Sequence, residues 1–193
     1  MNKIIDARGK NCPIPVIMAK KEIDSNIDFF TLLVDNETAV ENLKRLANNS
    51  DYETKIVEDN SDFKVEFTRE ASTDRETKKD SDKTWAVFVG REGIGDGDIE
   101  LGSSLLKMFF YTLTQDENIP SYILFMNDGV KATTNNDQVI EQLITLSEMG
   151  AVILVCGTCL NYYNITDKLK IGTVSNMYDI VNAMKAVDKV ITL

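Results

Sequence analysis

Three cysteines carry most of the chemistry this chain could perform: Cys12 in 8-RGKNCPIPVIMAKK-21, and Cys156 and Cys159 in 151-AVILVCGTCLNYYNI-165. There is no histidine. That removes Ser-His-Asp and Cys-His catalysis and every His-ligated metal site. Chemistry near neutral pH is left to Cys, Lys or a shifted carboxylate. The first cysteine precedes the pair Pro13 and Pro15. Proline suits the first turn of a helix, where its missing N–H would be unpaired anyway, and the residue before a proline is biased to extended geometry. The pattern predicts a helix opening at Pro13 with Cys12 as its N-cap. A thiolate there would meet the unpaired N–H groups of Ile14 and Val16 and the positive end of the helix dipole. Arg8 and Lys10 add positive charge. The plain alternative is a buried cysteine beside a proline-rich helix start.

The second pair is a C-x-x-C at the end of an apolar run. A zinc site would need a further Cys or His pair, which the chain lacks. A thioredoxin-type dithiol wants a later proline beside the motif, yet the last proline is Pro120. A thiol site at the carboxyl end of a strand, or two cysteines merely packed, remain.

The elements around these thiols follow from hydrophobic period. Lys3–Ala7 is a short strand, Pro13 to about Asp24 a helix and Phe29–Val34 an apolar strand. Ala39, Val40, Leu43, Leu46 and Ala47 fall on one face of a helix over 38–48. Tyr52–Glu58 and the alternating 63–67 complete a β-α-β-α-β-β order. This predicts an α+β two-layer sandwich over 1–68, two helices on one face of a four-stranded sheet. Residues 69–83, REASTDRETKKDSDK, hold five basic and five acidic side chains with Ala71 as the one apolar residue. Such a segment cannot bury a core and reads as a charged flexible linker. Over 84–193 the strands 85–89, 122–126, 151–155, 170–174 and 189–193 alternate with helices marked by Leu106, Phe109, Phe110 and Leu113, by Val139, Ile140, Leu143 and Ile144, and by Met177, Ile180, Val181 and Met184. Strands apolar on both faces belong to a parallel sheet covered by helices, so this half is predicted as an α/β open parallel sheet, a three-layer flavodoxin-like sandwich. Ligands in such sheets sit beyond the carboxyl ends of the strands.

The formal charge of −10 argues against phosphate-backbone binding and hence against a nucleic-acid partner. Residues 1–21 run against it, with five basic side chains facing the single carboxylate of Asp6. The apolar runs are too short to span a bilayer and the N-terminus has no signal-like core, so the expectation is a cytoplasmic protein without a membrane partner. Free thiols suit that reducing compartment. The glycine-rich 90-GREGIGDGDIELGSS-104 misses the P-loop, because Ser103 stands where the phosphate-binding lysine belongs. It reads as a turn with acids complementing a helix N-terminus. No cofactor and no metal are expected.

The segment DARGKNCPIPVIMAKKEI resembles the TusA/SirA family of small sulfur carriers, through 12-CPIP-15, Asp6, Arg8, Gly9 and Lys20. The resemblance implies that Cys12 carries sulfane sulfur as a persulfide, with Arg8, Lys10, Pro13 and Pro15 supporting it. The second half resembles the DsrE/DsrF-like family, whose functional cysteine lies in a loop after a central strand. That implies Cys156 or Cys159, with Cys156 favoured. The whole arrangement, together with MNDGVKATTNN and VCGTCLNYYNI, is similar to the YedF family, sulfurtransferase-like proteins associated with selenium metabolism. The resemblance implies a cysteine desulfurase or another sulfur or selenium donor, a downstream acceptor protein, and self-association through the second domain. A dithiol redox protein using Cys156 and Cys159, and an adaptor that only binds partners, are the competing readings.

Overall fold

The computed structural model describes residues 3–59, 62–69 and 84–193. The chain divides into two compact units, residues 1–77 and 78–193. Most of the expected linker, 70–83, lies outside the described residues. Its first residue, Arg69, belongs to the first unit instead. Its N–H donates to the Asp28 carbonyl at 2.9 Å, and its guanidinium pairs with the Asp28 carboxylate and lies 4.8 Å from the Tyr52 ring centre. A stretch with balanced charge hides this because the partners are some forty positions away.

The first unit runs β1 (Lys3–Asp6), α1 (Ile14–Asp24), β2 (Phe29–Val34), α2 (Glu37–Asn49), β3 (Glu53–Asp59) and β4 (Asp62–Thr68). The sheet order is β1-β2-β4-β3, with β1 parallel to β2 and the other pairs antiparallel. Register sets Phe30 opposite Phe67 and Leu32 opposite Val65. All four are fully buried together with Ala19, Leu43 and Ala47 of the two helices. Phe30 stacks on Phe67 with ring centres 4.6 Å apart, and Tyr52 meets both edge-on. α2 starts where Asn36 accepts a hydrogen bond from the Ala39 N–H at 2.8 Å, an ordinary N-cap.

The second unit runs β5 (Trp85–Val89), α3 (Ile99–Leu113), β6 (Tyr122–Phe125), a 3₁₀ segment (Asn127–Thr133), α4 (Asp137–Glu148), β7 (Val152–Cys156), α5 (Gly157–Tyr162), a 3₁₀ turn (Thr166–Lys168), β8 (Thr173–Ser175), α6 (Met177–Lys185) and β9 (Lys189–Thr192). All five strands are parallel, in the order β8-β7-β6-β5-β9. Their carboxyl ends therefore gather on one side, and the loops carrying 90–98, 126–136 and 156–165 meet there. The expected strand over 170–174 begins three residues later. The Lys170 N–H donates to the Thr133 carbonyl outside the sheet, and Gly172 lies so close to β7 that a Cβ would sit 2.8 Å from Ile153 and Val155. The short helix α5 has no counterpart in the sequence reading, because six residues do not display a helical period. The glycine-rich loop packs on α3: Ile94 N–H donates to the Gly102 carbonyl, and a Cβ on Gly93 would come within 2.7 Å of the Gly102 backbone. Asp98 caps α3 by accepting from the Leu101 N–H, as the acid-rich turn implied. No helix among the described residues is long and apolar enough to cross a membrane.

Candidate functional sites

Cys12 is exposed and sits in a turn ahead of α1. The helix starts one residue later than its sequence pattern implied. Pro13 is the N-cap, and Pro15 takes the second helical position, where a missing N–H costs nothing. Cys12 thus precedes the cap. The Ile14 N–H, expected at the sulfur, instead closes the turn onto the Asn11 carbonyl at 2.9 Å. The Cys12–Pro13 bond within that turn is cis, the geometry of a β-turn with proline in third place.

The thiol borders a cleft of about 230 Å³ between the starts of α1 and α2, lined by Lys10, Asn11, Pro15 and Val16 on one side and by Asn36, Thr38, Ala39 and Asn42 on the other. Among the described residues no carboxylate lines it. Two helix N-termini and the Lys10 ammonium make it a place where negative charge is favoured. Arg8, assigned by sequence to the sulfur, is spent elsewhere. Its guanidinium grips Asp6 at 2.7 and 2.9 Å and reaches Asp62, 54 residues away, at 2.9 Å. This pairing, with the Arg8 N–H, holds the Asp6 carboxyl down at about 2. Lys20 pairs with Asp24 along α1. These contacts tie the loop ahead of Cys12 to β1 and to the start of β4.

Gly9 adds a further tie. It stands at φ +68° and gives its N–H to Asp35 at 2.6 Å, which with the Asn36 side chain lowers the Asp35 pKa. No atom lies within 4 Å of where a Cβ would be. Gly9→Ala is therefore resisted by backbone conformation alone, and should cost about 1 kcal/mol of first-domain stability in urea denaturation. A neutral result would show that the loop adapts freely.

In the second unit Cys156 is the last residue of β7, not a loop residue, and is 3% exposed within the core. Cys159 lies one turn into α5 and is half-buried. The order favoured by the sequence reading is thus reversed as regards access: Cys159 is the outer sulfur. Cys156 lies close enough to Cys159 to influence its titration, and the Cys159 sulfur accepts the Asn127 backbone N–H at 3.2 Å. Between them, Gly157 packs so tightly on β8 that a Cβ would strike Val174 at 2.9 Å. Burial, and next the contact with Cys156, push the Cys159 pKa up, and the Asn127 N–H opposes this. A raised pKa leaves the thiol protonated at neutral pH. In a Cys12→Ser chain, alkylation of Cys159 should therefore rise with pH to a midpoint above that of a small-molecule thiol, and Cys156→Ala should lower the midpoint. A midpoint below the ordinary thiol value would contradict this environment.

Asn127 was missed as a functional residue. It adopts φ +50° directly after β6, an uncommon conformation for a non-glycine residue, and this aims its N–H at Cys159. Its side-chain oxygen accepts from the Tyr163 hydroxyl at 3.3 Å. Lys131 lies 5.0 Å from the Tyr163 ring centre and is paired with Glu92 at 2.9 Å. The one sequence signal for this cluster was the segment MNDGVKATTNN as a whole. Cys12 and the Cys156–Cys159 pair belong to separate units. Among the described residues no three His, Cys, Asp or Glu side chains come together to hold a metal ion.

The chain joins a mixed four-stranded sheet presenting a Cys-Pro-x-Pro helix start to a parallel sheet with thiols at a strand's carboxyl end, and each half matches a family of sulfur-relay type. Residues 3–69 match the family described as Sulfurtransferase TusA, and residues 102–193 match the DsrE/DsrF-like family. The N-terminal domain is TusA-like and the C-terminal domain DsrE/DsrF-like, consistent with a YedF-type arrangement. Among solved structures, a SirA-like protein from Desulfitobacterium hafniense is 37% identical over 33% of this chain and 92% of its own, with a TM-score of 0.32. The YchN protein from E. coli is 19% identical over 57% of this chain and 99% of its own, with a TM-score of 0.44. No curated protein matches the chain.

Proposed function

We propose that the chain takes up sulfane sulfur as a persulfide on Cys12 and relays it to the Cys156–Cys159 pair. The observation that carries this reading is the exposed Cys12 thiol on a cleft that has an ammonium and two helix N-termini but, among the described residues, no carboxylate. A persulfide anion suits that setting. The Cys12 thiolate attacks the outer sulfur of a donor persulfide, the donor's S–S bond breaks, and the donor leaves as a thiolate. No net oxidation occurs. A cysteine desulfurase in a reducing cytoplasm fits as donor, an acceptor protein would receive the sulfur, and selenium could travel by the same displacement. Incubation of the reduced chain with a desulfurase and cysteine, followed by mass spectrometry of non-reduced peptides, should show one added sulfur on the Cys12 peptide and later on the C-terminal one. An unmodified Cys12 peptide rejects the reading.

The contact between Cys156 and Cys159 favours a second reading, a dithiol redox couple. Closing that disulfide would release two protons and pass two electrons to an oxidant. Reversible disulfide formation with turnover, and no sulfur uptake, would select it.

A further inference from the structure

We propose that Ser175 is a cargo-holding residue of the second domain, donating its hydroxyl to a sulfane sulfur bound on Cys156; this rests on the sulfur-relay reading above. Ser175 ends β8 and is the register partner of Cys156 at the end of β7. Paired positions on adjacent strands send their side chains to the same face of the sheet. The Ser175 Oγ is shut off from solvent and, among the described residues, has no hydrogen-bond partner. A buried hydroxyl left unpaired is costly, and its retention calls for a reason. Alanine would fill the place without that cost. The Cys156 thiol, its neighbour across the strand pair, does not satisfy it. One added sulfur atom extends Cys156 by an S–S bond of about 2.05 Å, on the face of the sheet that also carries the Ser175 hydroxyl.

The step that delivers the cargo balances without a co-reactant. A persulfide on the outer Cys159 is attacked at its terminal sulfur by the Cys156 thiolate. The bond between that sulfur and Cys159 breaks, and Cys159 leaves with the electron pair and takes up the proton. Cys156 then carries the terminal sulfur in the interior, where the Ser175 hydroxyl donates to its negative charge. Inner and outer thiols thereby acquire different tasks: Cys159 exchanges sulfur with the surroundings and Cys156 keeps it.

The test uses the full-length chain with Cys12→Ser, loaded with inorganic polysulfide. The thiolate attacks a sulfane sulfur, and the shortened polysulfide leaves with the electron pair. The loaded chain is freed of polysulfide and given excess cyanide, which attacks the terminal sulfur and carries it off as thiocyanate while the cysteine leaves as a thiolate, and bound sulfur is followed by mass spectrometry of non-reduced peptides. Ser175→Ala should lose sulfur from Cys156 roughly tenfold faster, as befits one hydrogen bond to a charged acceptor. It should do so with a melting temperature equal to or above that of its parent, and Ser175→Thr should restore retention. Equal retention in the parent and Ser175→Ala overturns the role of Ser175 alone, and would mean that a buried water satisfies the hydroxyl. If the parent itself takes no sulfur on Cys156 or Cys159, the relay reading falls and the Ser175 role falls with it.

Discussion

With Cys159→Ser, sulfur-35 loaded on Cys12 is expected to stay on Cys12; with Cys156→Ser, it is expected to reach Cys159 and stop there. The reason is access. Transfer from the first domain requires a thiolate that can approach the outer sulfur of the Cys12 persulfide in line with its S–S bond. Cys156 is 3% exposed and enclosed by the core of its own domain, whereas Cys159 is only half-buried. In the transfer the Cys159 thiolate takes the terminal sulfur, the bond to Cys12 breaks, and Cys12 departs as a thiolate. The raised pKa of Cys159 keeps the thiolate fraction small at neutral pH, but a more basic thiolate is the better nucleophile, so part of the loss is recovered. Removing the outer thiol removes the nucleophile, and the expected effect is loss of detectable label in C-terminal peptides. The measurement is autoradiography of peptides separated without reductant. Label arriving on Cys156 in the Cys159→Ser chain would reverse the assigned order and restore the one the sequence alone suggested.

Phe30→Ala is expected to unfold the first domain while the second stays folded. Phe30 is fully buried, stacked on Phe67 at 4.6 Å and met edge-on by Tyr52. Phe→Ala in a core costs about 3–5 kcal/mol. A domain of roughly 70 residues seldom holds more than ~3–5 kcal/mol from one core. The single substitution therefore consumes most or all of its stability. The second domain has its own core, built on Leu106, Phe110, Phe125 and Leu143 among others. Trp85, the only tryptophan, lies in β5 of that second domain, so its fluorescence should melt as in the wild type. Far-UV circular dichroism should meanwhile show the first-domain transition lost. Joint loss of both signals would mean that the two units fold as one. An unchanged melt would mean that the aromatic trio can repack around the gap.

The sequence was legible wherever the determining interactions are local. The CPIP start, the 3.6-residue period of 39–47 and the both-face apolar strands of the second half rest on neighbours a few residues apart, and so they appear as patterns. The element order of the first domain and the parallel strands and long helices of the second followed from them; the short α5 did not. Local signals also misplaced details by a residue or two. Cys12 was set at the N-cap because proline favours the first helical position, yet the turn closing Ile14 onto Asn11 moves the cap to Pro13.

What tertiary structure alone decided are the pairings across the chain. Arg8 looked like a cation for the sulfur, yet Asp6 holds it locally and Asp62, 54 residues on, ties it to the start of β4. The N–H that Asn127 offers to Cys159 spans 32 residues, and Ser175 lies across from Cys156 only because β8 is paired in register with β7. Which of two cysteines three residues apart faces outward likewise depends on how β7 and α5 pack into the sheet. Composition and period record the partners each residue has along its own helix or strand. They carry no trace of the side chain that folding brings in from a distant element, and that side chain sets the burial, charge and hydrogen bonding of each thiol.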